Sequence, residues 1–316
     1  MDLSVIIPAR NEEWLQMTID SVLNKATANT EVITILDGYW PKTGILQRKN
    51  LTVIHHEESI GQRAATNEGA RVSTAKYMMK LDAHCDVDEG FDTKLIKDCE
   101  YNWTVIPRMY NLHVFNWKCK KCSNQWYMGP FPEKCDKCDN TTEFERVVIW
   151  KPRLNRRSDF MRFDSTLHFQ YWRDFEGRPE SKGQICDLMS SVGACWFMYR
   201  QRYLDIGGLD EGHGSWGQVG TEVACKSWLS GGRQVINKNT WFAHMFRTQQ
   251  GFGFPYKHEK GAIDKARHYS QNMWLNNKWP QAKYKLEWLI EKFSPVPDWK
   301  DSICQEPKQF YVSTTL

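Results

Sequence analysis

No stretch of the 316 residues approaches the ~18 consecutive apolar side chains of a membrane span. The first segment, Met1–Pro8, has no basic stretch and meets a proline after a short apolar run, so no secretory leader is expected. Both absences lead to the expectation of a soluble, cytoplasmic protein with no membrane partner. Charge of one sign is lacking too: 42 Lys+Arg stand against 38 Asp+Glu, a net of +4, so a polyanion would have to be met by a local patch. With 41% apolar and 25% charged residues the chain has neither a disordered nor a fibrous composition. The turn Pro8-Ala9-Arg10-Asn11-Glu12 holds no glycine triplet and no Gly-Lys-Ser/Thr, which argues against a dinucleotide fingerprint and a P-loop.

What is present is alternation. Leu3–Ile7, Val32–Leu36, Leu51–Ile54 and Tyr77–Leu81 are short, apolar and β-branched, the pattern of strands covered on both faces. Helical spacing over Glu12–Leu23 and Gln62–Val72 separates them, so a parallel α/β sheet is expected, with ligands at the carboxyl ends of its strands. From Trp117 to Asn140 the pattern gives way to a cysteine-containing, lysine-rich insertion, after which Val147–Trp150 resumes a strand. A glycine-dense loop, 207–220, precedes a helix over Thr221–Leu229; residues 262–293 read as helices interrupted at Pro280, followed by an irregular tail.

The fourth strand runs into Leu81-Asp82-Ala83-His84. Two side chains at i and i+2 where a strand unwinds can turn to one ion, and a carboxylate with an imidazole suits Mn²⁺ or a similar divalent metal. A turn-capping Asp82 beside a surface His84 is the other reading of such a pair. Two remote segments join it: Trp216-Gly217, with Glu222 beyond, and His244-Met245-Phe246-Arg247.

Taken with Val5–Glu12 and Ile35-Leu36-Asp37, these segments resemble glycosyltransferase family 2, in particular the polypeptide N-acetylgalactosaminyltransferases, over roughly residues 1–275 apart from the cysteine insertion. The resemblance implies an α/β GT-A fold, a Rossmann-like nucleotide-sugar-binding domain, that moves a sugar from a UDP-sugar with Mn²⁺ or Mg²⁺ on the diphosphate. It places the metal on Asp82, His84 and His244, and Arg247 on the phosphates. Glu12 and Asp37 would contact uracil and ribose, with Pro8, Ala9 and Arg10 as the wall of the base pocket; Glu12 could equally serve as a helix first-turn carboxylate. Asp82 would also meet the donor. Gly61–Gly69 matches a donor-contacting segment, but Thr66 stands where the family has arginine, which leaves Arg63 as the donor-contact candidate. Glu222 is the expected general base or sugar-orienting carboxylate, with Trp216 beside it; the acid that the family often has three residues earlier is Val219 here. Glycines and aromatics over Thr248–Pro255 suit a loop closing on the donor.

Cys119-x₂-Cys122 and Cys135-x₂-Cys138, twelve residues apart, have the spacing of a four-thiolate zinc ribbon; two disulfides are the alternative. Cys85, Cys99, Cys186, Cys195, Cys225 and Cys304 read as core thiols. The expected division is 1–116 and 141–260 as the donor and acceptor halves of one domain, 117–140 as the ribbon, and 261–316 as C-terminal helices and tail. Lysines and aromatics in the ribbon, with Lys151, Arg153, Arg156 and Arg157 after it, fit contacts to nucleic acid or simply a soluble surface. The acceptor is accordingly read as a hydroxymethylated pyrimidine in DNA, against protein Ser/Thr or a glycan, and against a non-catalytic zinc-ribbon protein with a degenerate sugar-nucleotide domain.

Overall fold

The computed structural model describes residues 1–247 and 251–299; Cys304 and most of the expected tail lie outside them. The strands are β1 (Leu3–Ala9), β2 (Thr30–Asp37), β3 (Leu51–His56), β4 (Tyr77–Leu81), β5 (Cys85–Val87), β6 (Trp103–Cys119), β7 (Gln125–Tyr127), β8 (Phe144–Ser158), β9 (Met161–Phe163), β10 (Phe169–Tyr171), β11 (Ile185–Asp187), β12 (Cys195–Tyr199) and β13 (Arg233–His244). The helices are α1 (Leu15–Lys25), α2 (Gln62–Val72), α3 (Phe91–Lys97), α4 (Arg200–Asp205), α5 (Val219–Leu229), α6 (Ala262–Trp274) and α7 (Leu286–Lys292). Among the described residues no helix is long and apolar enough to cross a membrane.

The main sheet has the order β11-β13-β6-β12-β4-β1-β2-β3. Strands β1–β4, at the other end of this order, pair in parallel, as the alternation of strand and helix requires. The other half is mixed: β12 runs antiparallel to β4 and β6, while β13 lies parallel to β6. Side-chain alternation along β1 sends Leu3, Val5 and Ile7 into one apolar cluster with Ile19 and Val22 of α1, and Ile6 into the other with Ala65 and Ala70 of α2. Burying each such side chain is worth about 1.5–3 kcal/mol. Gly69 lets α2 close on β1, because a Cβ there would stand 2.5 Å from Ile6 Cγ2.

The first helix begins at Leu15 rather than Glu12, because Asn11 takes a positive φ of 50° and the Glu12 carboxylate is engaged elsewhere. The 17-residue β6 and 15-residue β8 form a long antiparallel hairpin, and the four-cysteine segment is its tip. Strand β6 therefore runs across the expected boundary at 116–117.

Candidate active site

A cavity of about 640 Å³ opens at the carboxyl ends of β1, β2 and β4, within the size range of small-molecule sites. Asp82 follows β4 directly, and its carboxylate accepts from Lys80 Nζ and, at 3.3 Å, from Gln62 Nε2. Lys80 is fully buried and also donates to the Gly193 carbonyl at 2.9 Å. Burial alone would push the Asp82 pKa up, but Lys80, His244 and His84 outweigh it and hold the carboxyl well below its usual range.

His84 Nδ1 stands 2.9 Å from Glu12 Oε2. Glu12 stays ionised because His84 and Arg247 outweigh its burial. An ionised carboxylate only accepts, so Nδ1–H donates to it and Nε2 is left as the ring's ligand atom. That Nε2 lies 3.1 Å from His244 Nε2, which in turn lies 3.2 Å from Asp82 Oδ2. Burial lowers the His244 pKa to about 4, so this ring is neutral at pH 7. A proton on His244 Nε2 can satisfy one of its two neighbours at a time, whereas a cation among the three atoms satisfies all of them. All three ligand atoms fall within 4.8 Å of one another, an O,N,N donor set that fits a divalent metal of the manganese kind.

Arg247 donates through Nη2 to both Glu12 oxygens, at 2.6 and 2.7 Å, while its buried Nε has no partner. Arg10 lies over the Tyr256 ring, 4.9 Å from its centre, and both line the cavity with Pro8 and Ala9. Asp37 lines it too, its carboxylate accepting from Ser59 Oγ at 2.8 Å and the Ile60 amide at 2.6 Å, which fixes the turn into α2. Trp216 forms part of the wall, edge-on to Phe254. The expected loop 248–255 falls partly outside the described residues, but Phe254 and Pro255 line the cavity.

Two expected residues are not there. Glu222 and Arg63 are 0% and 1% exposed and pair with each other, Arg63 Nε to Glu222 Oε2 at 2.9 Å. Every residue of α5 is buried, so its carboxylate points into the protein and needs a cation. Lys226 Nζ, 3.1 Å from Oε1, the Asp210 amide and His213 Nδ1, 3.7 Å from Oε2, surround it as well. Arg63 spends its remaining donors on the carbonyls of Gly214 (3.2 Å) and Gly217 (2.7 Å). The pair therefore holds the loop that carries Trp216; it corrects the expectation of a general base and a donor contact.

Sequence reasoning missed Lys80, although a lysine two residues before Asp82 in an apolar strand shares its face. It also missed His258 and Arg267, whose return to the cavity from the C-terminal segment has no local signature. Away from the cavity, Cys119, Cys122, Cys135 and Cys138 bring their sulfurs within 4.8 Å of one another, and all nine described cysteines are free thiols.

The chain resembles proteins of known type. Mouse polypeptide N-acetylgalactosaminyltransferase 3 is 25% identical over 269 residues, covering 80% of this chain and 38% of its own. Bovine polypeptide N-acetylgalactosaminyltransferase 6 gives the same identity and coverage. The chain thus spans less than half the length of these relatives. A crystal structure of GalNAc-T7 with UDP, GalNAc and Mn²⁺ superposes with a TM-score of 0.62 at 18% identity, over 87% of this chain and 49% of that one, so the mixed α/β architecture is the GT-A fold. The model of glycosyl transferase family 2 matches residues 4–163, just over half the sequence, and the chain belongs to that family.

Proposed function

We propose that the chain transfers a sugar from a UDP-sugar to an acceptor hydroxyl, aided by a divalent metal held by Asp82, His84 and His244. The observation that carries this reading is the convergence of three ligand atoms at the carboxyl ends of the strands, beside Arg247 and lining the cavity. When bound there, Mn²⁺ or Mg²⁺ supplies a Lewis acid that offsets charge on the departing diphosphate. The protein's own part is orientation. Glu12 orients the ring of His84 and holds Arg247, which lines the cavity as a fixed cation for the phosphates. Pro8, Ala9, Arg10 and Asp37 supply the base and ribose wall, and Trp216 the wall around the sugar.

Among the described residues the lining carboxylates are Glu12, Asp37, Asp82 and Glu259, and each already accepts from a donor or cation. For the acceptor, a hydroxymethylated pyrimidine in DNA is supported by exposed Lys151, Arg156 and Arg157 along β8. A polypeptide hydroxyl is the second reading, favoured by the names of the relatives.

The test is incubation with Mn²⁺ and a panel of UDP-sugars, with hydroxymethylated DNA and a Ser/Thr peptide mixture in separate arms. Metal-dependent UDP release with a hexose or N-acetylhexosamine mass shift on one acceptor is the expected result. UDP release unaltered by both Asp82→Ala and His244→Ala would remove the proposed site, and no shift on DNA with a shift on peptide would settle the acceptor against DNA.

A further inference from the structure

We infer that Cys119, Cys122, Cys135 and Cys138 hold one structural zinc ion, and that the ribbon folded around it braces the part of the cavity wall formed by Phe254–Tyr256. The two Cys-x₂-Cys turns are copies of one another. Cys119 N donates to Asn124 O (2.9 Å) and Ser123 N to Cys119 O (2.8 Å), and Cys135 N donates to Asn140 O (2.7 Å) and Asp139 N to Cys135 O (3.3 Å). Ser123 and Asp139 both adopt positive φ, 58° and 60°. Each turn thus aims two sulfurs at a shared centre.

Cys119 and Cys138 sulfurs are 3.5 Å apart and those of Cys122 and Cys135 3.6 Å. A tetrahedron with zinc–sulfur bonds of ~2.3 Å has edges of about 3.8 Å, whereas a disulfide is ~2.05 Å long. Four thiolates leave no open position for chemistry, so the ion's work is to order the segment, with the thiol protons released on binding.

What that order supports follows from the hairpin. The side chain of Trp117, two residues before Cys119, donates through Nε1 to the Gly129 carbonyl at 3.2 Å and meets the Phe131 ring edge-on at 5.3 Å. This contact draws Met128 under the hairpin, where its sulfur accepts from the Val114 amide at 3.4 Å. Met128 and Phe115 share a cluster with Met245, and Phe252 packs against it, its ring 6.2 Å from that of Phe115. Met245 and Phe254–Tyr256 line the cavity. A ribbon this small has little core of its own, so removing the ion loosens Met128 and with it the support under Phe252.

Metal analysis of the full chain is expected to find one zinc per molecule, and none in Cys122→Ser/Cys138→Ser; iron in its place, or metal-free disulfides, overturns the site. In hydrogen exchange, amides of Phe252–Tyr256 are expected to exchange about tenfold faster in the zinc-free variant than in the zinc-loaded chain. Because the cysteine variant can unfold more widely, Phe252→Ala gives the second arm: zinc retained, with the same amides accelerated. Unchanged exchange at Phe254 and Tyr256 in either variant overturns the brace. Neither readout uses a sugar nucleotide, so the outcome is separate from that of the transfer reaction.

Discussion

Two clusters of side chains that could each hold a metal ion are assembled on opposite plans. His84 and His244 meet across 160 positions of sequence, where β13 pairs with β5, whereas Cys119 and Cys138 are 19 positions apart on one hairpin tip. Two members of the first cluster are tied to protein outside it, Asp82 to Lys80 and Gln62 and His84 to Glu12, while His244 meets the other two through Nε2. The second is held by its own backbone turns and a few contacts with Asn140. Protein order precedes the ion in the first case and depends on it in the second. Loss of the ion should therefore cost activity at one place and structure at the other.

The largest expected effect tests the claim that protein pairs, not metal, hold the catalytic side rigid. Glu222→Ala leaves Arg63 and Lys226 buried without their anion and should lower the unfolding free energy by about 3–5 kcal/mol in chemical denaturation, while Arg63→Met with Glu222→Leu should cost clearly less. Next comes Asp82→Asn, which keeps shape but removes the charge: turnover measured as UDP release should fall on the order of 10²–10³-fold with the sheet intact. An unfolded variant would erase the contrast with the ribbon. Glu12→Gln acts one step out and should weaken Mn²⁺ binding, followed by metal titration, about 10–100-fold.

The smallest effect is in pH. Lys226, Arg63, His213 and the Asp210 amide outweigh burial and hold the Glu222 carboxyl below its ordinary value of 4.5. A depressed folded-state pKa gives stability that is complete above 4.5 and is lost as pH falls through the folded value. Buried His213, whose pKa is lowered by desolvation, adds a loss of the same sign. Between about pH 5 and pH 3 the unfolding free energy of the wild type should fall more steeply than that of Glu222→Gln. Parallel slopes would mean that the pair does not titrate with unfolding.

The half of the fold with short apolar strands and intervening helices was legible, because each strand is covered on both faces and so reads as an unbroken apolar run. β6 was not: Arg108, Asn111, His113 and Asn116 interrupt its pattern, and its partners β8 and β13 are distant in sequence. The grouping of Asp82, His84 and His244, whose ligand atoms lie within 4.8 Å of one another, was legible through their order along the chain. Glu222 was misread although a clue was present: a carboxylate and a lysine four residues apart on a helix with an apolar remainder point to an internal pair rather than a catalytic group. Arg63, 159 positions away on α2, could be assigned as its partner only in three dimensions.

Glu12 deserves to be seen as a gear. Through its two oxygens one side chain sets the ring of His84 and the guanidinium of Arg247, so the ligand angle and the nearby positive charge turn together. Neither can be retuned alone. A change that favours another cation or a different anionic leaving group has to pass through this single carboxylate, or first free Arg247 from it.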